Sequence, residues 1–336
     1  MDWFDALPKV ELHVHLEGAI PLPFLWTLIQ RNGGDAEVPS LAALEQRFHY
    51  RDFHHFLRTW VWKNRFLRTL DDLSDVSEAV ARSFAEQHIV YVEAHCSPID
   101  VRDHGINIAD AIRAYRRGLV RVPGITVGLI VDLVRNYGAD EAERTLDAVL
   151  RVRDQGVIGI GLGGDELHYP AQDFAAVFAR ARSAGLHVTA HAGEGAGPPS
   201  IRHALTDLAV SRIGHGVRAI EDPTLVQELA ERGIPLEVCP TSNLRTGIVR
   251  SFAEHPISRL RSQGVVVTVN SDDPAMFGCS LAGEFRRLVA EHHWSAQDVR
   301  ATILAAVEAS WLPTDQRESL RRSVIGDPAW LRTPTP

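Results

Sequence analysis

Eight short, largely apolar runs rich in β-branched residues recur along the chain, and longer amphipathic stretches separate them. This alternation is typical of repeated β-α units that share a parallel sheet. A barrel of about 250 residues with insertions accounts for the 336 residues without a second domain. We therefore predict an α/β fold in which residues 1–336 form a single (β/α)8 TIM-type barrel. The predicted strands are Val10–Leu16, Ile89–His95, Ile125–Leu133, Val157–Gly163, Leu186–His191, Arg212–His215, Ile234–Cys239 and Val265–Asn270.

Amphipathic segments that end at glycine or at a short polar break lie between the predicted strands, as expected of helices. The first crossover is unusually long, and its excess length predicts a helical insertion over about residues 20–70, after the first strand. The clearest of the other helices are predicted over Asp72–Gln87, Asp140–Asp154, Ala171–Ala184 and Asp222–Arg232.

An aromatic stripe lies within the insertion, where Phe53, Phe56, Leu57 and Trp60 fall at helical spacing. Such a stripe usually packs into a core, and core packing is the interpretation that we favour. Because barrels place their active sites at the C-terminal ends of the strands, a lid over the substrate is the alternative.

Charge and cysteine content exclude several partners and compartments. The net charge is −8, whereas nucleic-acid backbones are bound by clustered lysine and arginine. No apolar run is long enough to span a bilayer, and the charged N-terminus is unlike a signal peptide. Three scattered cysteines indicate neither a disulfide framework nor a zinc knuckle. We expect a cytoplasmic protein that binds neither nucleic acid nor membrane, and the sequence leaves its oligomeric state open.

Polar side chains at the ends of the predicted strands give the strongest chemical signal. His13 and His15 share one face of the first strand because strand side chains alternate, although such a pair alone is more typical of core histidines. His191, His215 and Asp272 lie at the ends of later strands, and these ends converge on one mouth of a barrel. Burying so many imidazoles and carboxylates together is costly without a cation.

Imidazole and carboxylate ligands suit zinc, and a catalytic zinc keeps a position open for water. Zinc lowers the pKa of its bound water from about 15.7 to about 7. His215 is placed to orient the resulting hydroxide or to take its proton, and Glu194 is the natural general acid. We predict as zinc ligands His13, His15, His191 and Asp272.

The number of metal ions follows from the scarcity of lysine. Lys9 and Lys63 are the only lysines, and two-metal barrels often bridge their metals through a modified lysine at a strand end. Lys9 precedes the first strand, and Lys63 lies in the insertion. One zinc per chain is therefore favoured over two.

Two shorter motifs are misleading. Gly159–Gly164 fits G-x-G-x-x-G, but it ends a strand and runs into Asp165 instead of opening a helix, so we reject a dinucleotide-binding loop. His15–Glu17 matches the H-x-E half of the cytidine-type deaminase signature, but the P-C-x-x-C half is absent.

Six longer motifs carry a family resemblance. PKVELHVHLEGA, GGDE, HAGE, RIGHG, CPTSNLRTG and NSDDP occur in this order from about residue 8 to residue 290. With these motifs the chain resembles the adenosine deaminase family. The resemblance implies a β/α barrel, zinc on the four ligands named above, and hydrolytic removal of the 6-amino group of a purine.

The resemblance also implies roles for individual residues. Glu194 would protonate N1 of the purine, His215 would assist the attacking hydroxide, and the backbone of Gly164 would meet N3. Glu194 then needs a raised pKa, which burial against a purine supplies. Asp273 would hydrogen-bond N7, and because N7 is an acceptor, Asp273 must be protonated there even though a nearby zinc opposes it.

Glu17 bears on the choice of substrate. Adenosine-specific members carry Asp at this place in HLDGA, where it receives the ribose 5′-hydroxyl, whereas adenine-specific members tend to carry Glu. Residues 163–166 and 239–243 look more like the nucleoside deaminases. A 5′-phosphate is disfavoured beside Glu17 by like charge. We expect adenosine and deoxyadenosine first, then 5′-modified adenosines such as aminodeoxyfutalosine, then adenine, and AMP last.

Two other interpretations are open. One is a metal-dependent amidohydrolase that acts on a cyclic amide or a peptide. The other is a non-catalytic descendant of the barrel that serves as a binding protein. The complete set of ligands, acid and base favours an enzyme over the second of these.

Overall fold

The computed structural model describes residues 2–332. Eight parallel strands form one sheet in which each strand pairs with the next along the chain. The strands are β1 (Lys9–His15), β2 (Ile89–Cys96), β3 (Thr126–Val134), β4 (Val157–Gly163), β5 (His187–Ala192), β6 (Arg212–His215), β7 (Leu236–Val238) and β8 (Val267–Val269).

The sheet closes on itself just beyond β8. A parallel bridge joins Val14 of β1 to Asp272. The backbone N–H of Asp272 donates to the carbonyl of His13 at 3.1 Å, and the N–H of His15 donates to the carbonyl of Asp272 at 2.9 Å. The predicted (β/α)8 barrel is therefore confirmed.

Helices surround the barrel, and the four predicted ones are confirmed with shifted ends. The segment predicted as Ala171–Ala184 begins as a 3-10 turn, and the one predicted as Asp140–Asp154 ends as one. The α-helices are α1 (Trp3–Ala6), α2 (Leu22–Arg31), α3 (Leu41–Arg47), α4 (Phe53–Asn64), α5 (Leu70–Glu86), α6 (Ile108–Leu119), α7 (Ala139–Arg151), α8 (Ala175–Ser183), α9 (Pro198–Thr206), α10 (Pro223–Arg232), α11 (Pro240–Arg245), α12 (Ile257–Ser262), α13 (Pro274–Phe277), α14 (Leu281–His292), α15 (Ala296–Ala309), α16 (Thr314–Gly326) and α17 (Pro328–Leu331). Within residues 2–332, no helix combines the length and the apolar character that crossing a membrane requires.

The last two strands are shorter than predicted. β7 covers three residues instead of Ile234–Cys239, because Pro235 and Pro240 flank it and proline has no N–H for a strand ladder. β8 also covers three residues instead of Val265–Asn270. On the side that faces β1, the side chain of Asn270 takes the place of a main-chain acceptor. Its amide oxygen accepts a hydrogen bond from the N–H of Leu12 at 2.9 Å.

Helices α2, α3 and α4 form the predicted insertion after β1. The carboxylate of Asp52 caps α4 by accepting from the N–H of His55 at 2.7 Å. The stripe on α4 lines a cavity at the C-terminal ends of the strands, as the lid alternative predicts, and Phe53, Leu57 and Trp60 are partly buried side chains that also pack against the core. Phe56 lines the cavity and also belongs to the hydrophobic core.

Candidate active site

Four side chains converge at the C-terminal ends of the strands. His13 and His15 project to the same side of β1, with their ring centroids 5.5 Å apart. Nε2 of His191 lies 3.1 Å from Nε2 of His13 and 3.2 Å from Nε2 of His15. Oδ1 of Asp272 lies 3.6 Å and 3.3 Å from the same two nitrogens. All four side chains are buried.

The distances among these atoms fit a metal ion. Tetrahedral ligands about 2.0–2.1 Å from zinc lie about 3.3–3.4 Å from one another. The four measured separations fall on both sides of that value. The structure thus brings together the residues that the sequence predicted as ligands, at a spacing that suits one ion.

The second ring nitrogen of each histidine in this set faces an acceptor. A proton on Nδ1 leaves the lone pair of Nε2 directed toward the shared point, which is the tautomer that a metal ligand requires. Nδ1 of His13 is hydrogen-bonded to Oε2 of Glu237 at 2.9 Å and Nδ1 of His191 to the carbonyl of Leu162 at 3.2 Å, whereas Nδ1 of His15 lies 3.3 Å from Oδ2 of Asp132 without the geometry of a hydrogen bond.

A buried arginine supports one of these acceptors. Nε of Arg212 donates to Oε1 of Glu237 at 2.5 Å, and its Nη2 pairs with Glu93 at 2.6 Å. Burial raises the pKa of Glu237, but the charge of Arg212 together with the hydrogen bond and charge of His13 outweighs burial and brings the pKa to about 2. Glu237 is therefore an ionised acceptor that fixes the ring of His13.

Two residues of the site have a strained backbone. His215 and Asp272 adopt φ angles of 60° and 62°, in the left-handed region that side chains rarely occupy. They lie at the end of β6 and just beyond β8. Such conformations persist only where the surrounding structure enforces them, and they cluster at functional sites.

Glu194 and His215 line the cavity beside the metal-ligand set. Nε2 of His215 lies 3.5 Å from Oε2 of Glu194 and 4.0 Å from Oδ2 of Asp272. Burial raises the pKa of Glu194 well above its usual range, and the charge of Asp272 adds to the effect. Burial also lowers the pKa of His215 to about 3. At neutral pH the site therefore presents a protonated carboxyl beside a neutral imidazole.

Glu166 holds the backbone that carries Glu194. Its carboxylate accepts from the N–H groups of Gly193 at 2.6 Å, Glu194 at 3.2 Å and Ala196 at 2.9 Å. Three donors on one carboxylate fix the loop that follows β5. Glu166 is the last residue of the GGDE motif, and its role was not predicted from the sequence.

Asp273 and Gly164, which the resemblance placed against the substrate, both line the cavity. Burial raises the pKa of Asp273 to about 8, helped by the neighbouring charge of Asp272. A side chain on Gly18 would come within 1.6 Å of Oδ1 of Asp273, so only glycine fits there. Gly164 has a φ of +97°, which also favours glycine.

Glu17 is not one of the described residues that line the cavity. It is 1% exposed, and its Oε1 accepts from the hydroxyl of Tyr115 at 2.7 Å and from the N–H of Ser97 at 2.9 Å. Nζ of Lys63 donates to the carbonyl of Glu17 at 2.7 Å. In this structure, Glu17 supports the loop after β1.

The cavity is small and largely apolar on one side. Its volume of about 280 Å³ lies at the lower end of the range for small-molecule sites. Among the residues of the described chain that line it, none is lysine or arginine. Its apolar and aromatic wall consists of Phe53, Phe56, Leu57, Trp60, Val61, Val134 and Tyr137.

The sequence analysis missed several polar residues beneath the site. Nδ1 of His95 lies 2.8 Å from Oδ1 of Asp132, and the ring of His95 is 4.7 Å from that of His13. Asn243 and His255 connect to His215 behind the cavity. A charged residue inside an apolar strand, such as Asp132 in GLIVDLV or Glu237 in PLEVC, was the available signal.

An eight-stranded parallel barrel with three imidazoles and a carboxylate around one point at its mouth defines a hydrolase of the amidohydrolase class. Within that class, the family model of adenosine deaminase matches residues 8–326. The chain belongs to the adenosine deaminase family.

Relatives within the family carry two different names. The chain is 39% identical to an adenine deaminase of Bordetella avium over 91% of its own length and 96% of the relative. It is 38% identical to an aminodeoxyfutalosine deaminase of Acidothermus cellulolyticus, over 84% of this chain and 82% of the relative. A zinc-bound amidohydrolase structure from Burkholderia ambifaria superposes with a TM-score of 0.88 at 29% identity, covering 96% of this chain and 91% of the other.

Proposed function

We propose that this protein is a zinc-dependent deaminase that hydrolyses the 6-amino group of a 5′-modified adenosine such as aminodeoxyfutalosine. The observation that carries the deaminase assignment is the position of Glu194 and His215 beside four convergent metal-ligand atoms. The zinc-bound relative supports the identity of the ion. One zinc per chain is proposed, held by His13, His15, His191 and Asp272.

The chemistry follows from the charge states of the cavity. Zinc at the four ligands would lower the pKa of a bound water and make it a nucleophile at neutral pH. Addition of that oxygen at C6 builds electron density on N1 of the purine. Glu194, kept protonated by burial, is the donor that relieves it, and such a donor contributes about 10²- to 10⁴-fold in rate.

Asp273 and Gly164 are proposed to hold the purine ring. N7 is an acceptor, so Asp273 must donate to it as a protonated acid. A pKa raised to about 8 supports that form at neutral pH. The backbone of Gly164 is proposed to meet N3 from the opposite side of the ring.

The preferred substrate differs from the order expected from the sequence, which put adenosine first. The two curated relatives named above are an adenine deaminase and an aminodeoxyfutalosine deaminase. Oε1 of Glu17 accepts from Tyr115 and Ser97 within the protein, and Glu17 is not among the described residues that line the cavity, so this structure does not present Oε1 to a ribose 5′-hydroxyl. The apolar and aromatic wall on α4 instead offers packing surface for a large 5′ substituent. Because no lysine or arginine of the described chain lines the cavity, AMP stays last.

Adenine is the second candidate. The small cavity and the identity to the Bordetella avium adenine deaminase favour it. The two candidates differ in their use of α4, because the free base has no 5′ group to pack against Leu57 and Phe53.

The deciding experiment compares kcat/KM for ammonia release from aminodeoxyfutalosine, adenosine, adenine and AMP with one zinc-loaded preparation. We expect aminodeoxyfutalosine to exceed adenine by tenfold or more. Leu57→Asn should lower kcat/KM for the extended nucleoside and leave adenine nearly unchanged. If adenine exceeds all nucleosides tenfold, the second candidate replaces the first, and if no compound releases ammonia, the deaminase assignment fails.

A further inference from the structure

A chain of three buried side chains leads from the loop before α12 to the cavity. Nε2 of His255 lies 3.1 Å from Oδ1 of Asn243, and Nδ2 of Asn243 lies 3.1 Å from Nδ1 of His215. The three residues are 2%, 0% and 1% exposed, so their hydrogen bonds are made with one another. Each link has a direction, because every bond needs one donor and one acceptor.

The backbone at the far end sets that direction. The N–H of Ile257 donates to Nδ1 of His255 at 3.2 Å, and a backbone N–H can only donate. Nδ1 of His255 is therefore unprotonated. Burial lowers the pKa of His255 to about 3, so the ring is neutral and carries its proton on Nε2.

The donor and the acceptor of the other two hydrogen bonds are then determined. Because His255 donates from Nε2, the atom of Asn243 that faces it must be the amide oxygen. The amide nitrogen of Asn243 then faces His215 and donates to Nδ1. A flipped amide would set two donors against each other at His255, at a cost of about 1–3 kcal/mol for the unsatisfied buried groups.

We infer that Asn243 and His255 are positioning residues that hold His215 as the tautomer with its proton on Nε2. His215 therefore presents an N–H to the cavity, on the side where Oε2 of Glu194 lies 3.5 Å away. In this form it donates a hydrogen bond to the attacking oxygen and cannot accept a proton from it. The sequence analysis left both roles open for His215, and the hydrogen-bond direction selects the first.

A spectroscopic test does not depend on turnover. Ring nitrogens with and without a proton have well-separated ¹⁵N chemical shifts, and zinc is diamagnetic. In the zinc-loaded protein with ¹⁵N-labelled histidine, assigned by comparison with His215→Gln, we expect a protonated Nε2 and an unprotonated Nδ1 at His215. The reverse pattern would overturn the inference, whatever reaction the protein catalyses.

A kinetic test uses Asn243→Asp, and its activity readout rests on the proposed deaminase function. A carboxylate accepts from both histidines, so the proton of His215 moves to Nδ1 and the lone pair of Nε2 faces the cavity. We expect kcat to fall about 10²-fold, as for loss of a donor at a developing charge, while KM and zinc content stay within about twofold.

The opposite result is equally informative. If His215 acts as a base, a carboxylate behind it improves the base, and Asn243→Asp would keep or raise kcat, which would refute the inference. Ser242→Ala is the matched control, because its buried hydroxyl has no partner within the described residues and lies outside the chain of hydrogen bonds. Thermal unfolding and zinc content verify that each variant is folded.

Discussion

The contacts of Glu166 predict that one residue outside the cavity controls both stability and turnover. Its carboxylate accepts from three backbone N–H groups, two of them at 2.6 Å and 2.9 Å. A hydrogen bond to a charged acceptor contributes about 1.5–3 kcal/mol, and the third contact, to Glu194 at 3.2 Å, is weaker. Ala196 is only partly buried, so water replaces part of its loss. We expect Glu166→Ala to lower the free energy of unfolding by about 3 kcal/mol.

The same substitution releases the loop that positions Glu194, and we expect kcat to fall by about 10²-fold, which approaches the loss of a proton donor. Urea unfolding followed by circular dichroism gives the first quantity, and ammonia release gives the second. Asp165→Asn is the control, since it removes the adjacent charge without touching residues 193–196. A loss of unfolding free energy below about 0.5 kcal/mol with kcat within twofold would refute this reasoning.

Two further predictions concern the cavity. Glu194→Gln should keep its metal and KM but lose about 10²-fold or more in kcat, whereas His13→Ala should lose its metal in elemental analysis; near-normal turnover of Glu194→Gln would place the acid elsewhere. Asp273→Asn preserves a donor for N7 and should retain kcat/KM within about tenfold, while Asp273→Ala should lose more; equal losses would show that donation to N7 is not its role.

The sequence predicted the barrel and the convergence of the four candidate ligands because both rest on local rules. Alternation along β1 placed His13 and His15 on one face, and the strand ends placed His191 and Asp272 near them. The resemblance placed Glu17 against the ribose of the substrate, but β1 ends at His15 and the chain turns. The hydroxyl of Tyr115, 98 residues away in the sequence, donates a hydrogen bond to the carboxylate of Glu17, and no local pattern predicts that partner.

The lid role of the α4 stripe was only the second interpretation, and the contacts behind His215 were missed, for a related reason. Helical spacing shows that one side of α4 is apolar, but it does not show whether that side faces another helix or an opening. Asn243 lies in α11 and His255 in the loop before α12, and their connection to His215 follows from tertiary packing. Neither residue is marked in the sequence by anything beyond its residue type.

The closure of the barrel between β1 and Asp272 determines when, during folding, the candidate metal site forms. The backbone N–H and carbonyl of Asp272 form hydrogen bonds with the backbone of His13 and His15 in β1. These are two of the histidines that converge with the Asp272 side chain at the candidate metal site. A nascent chain presents three imidazoles long before the final carboxylate is synthesised, and that carboxylate arrives only as the last strand docks. We therefore expect the proposed zinc to bind tightly only after the barrel has folded completely. A truncated or misfolded chain should fail to bind it.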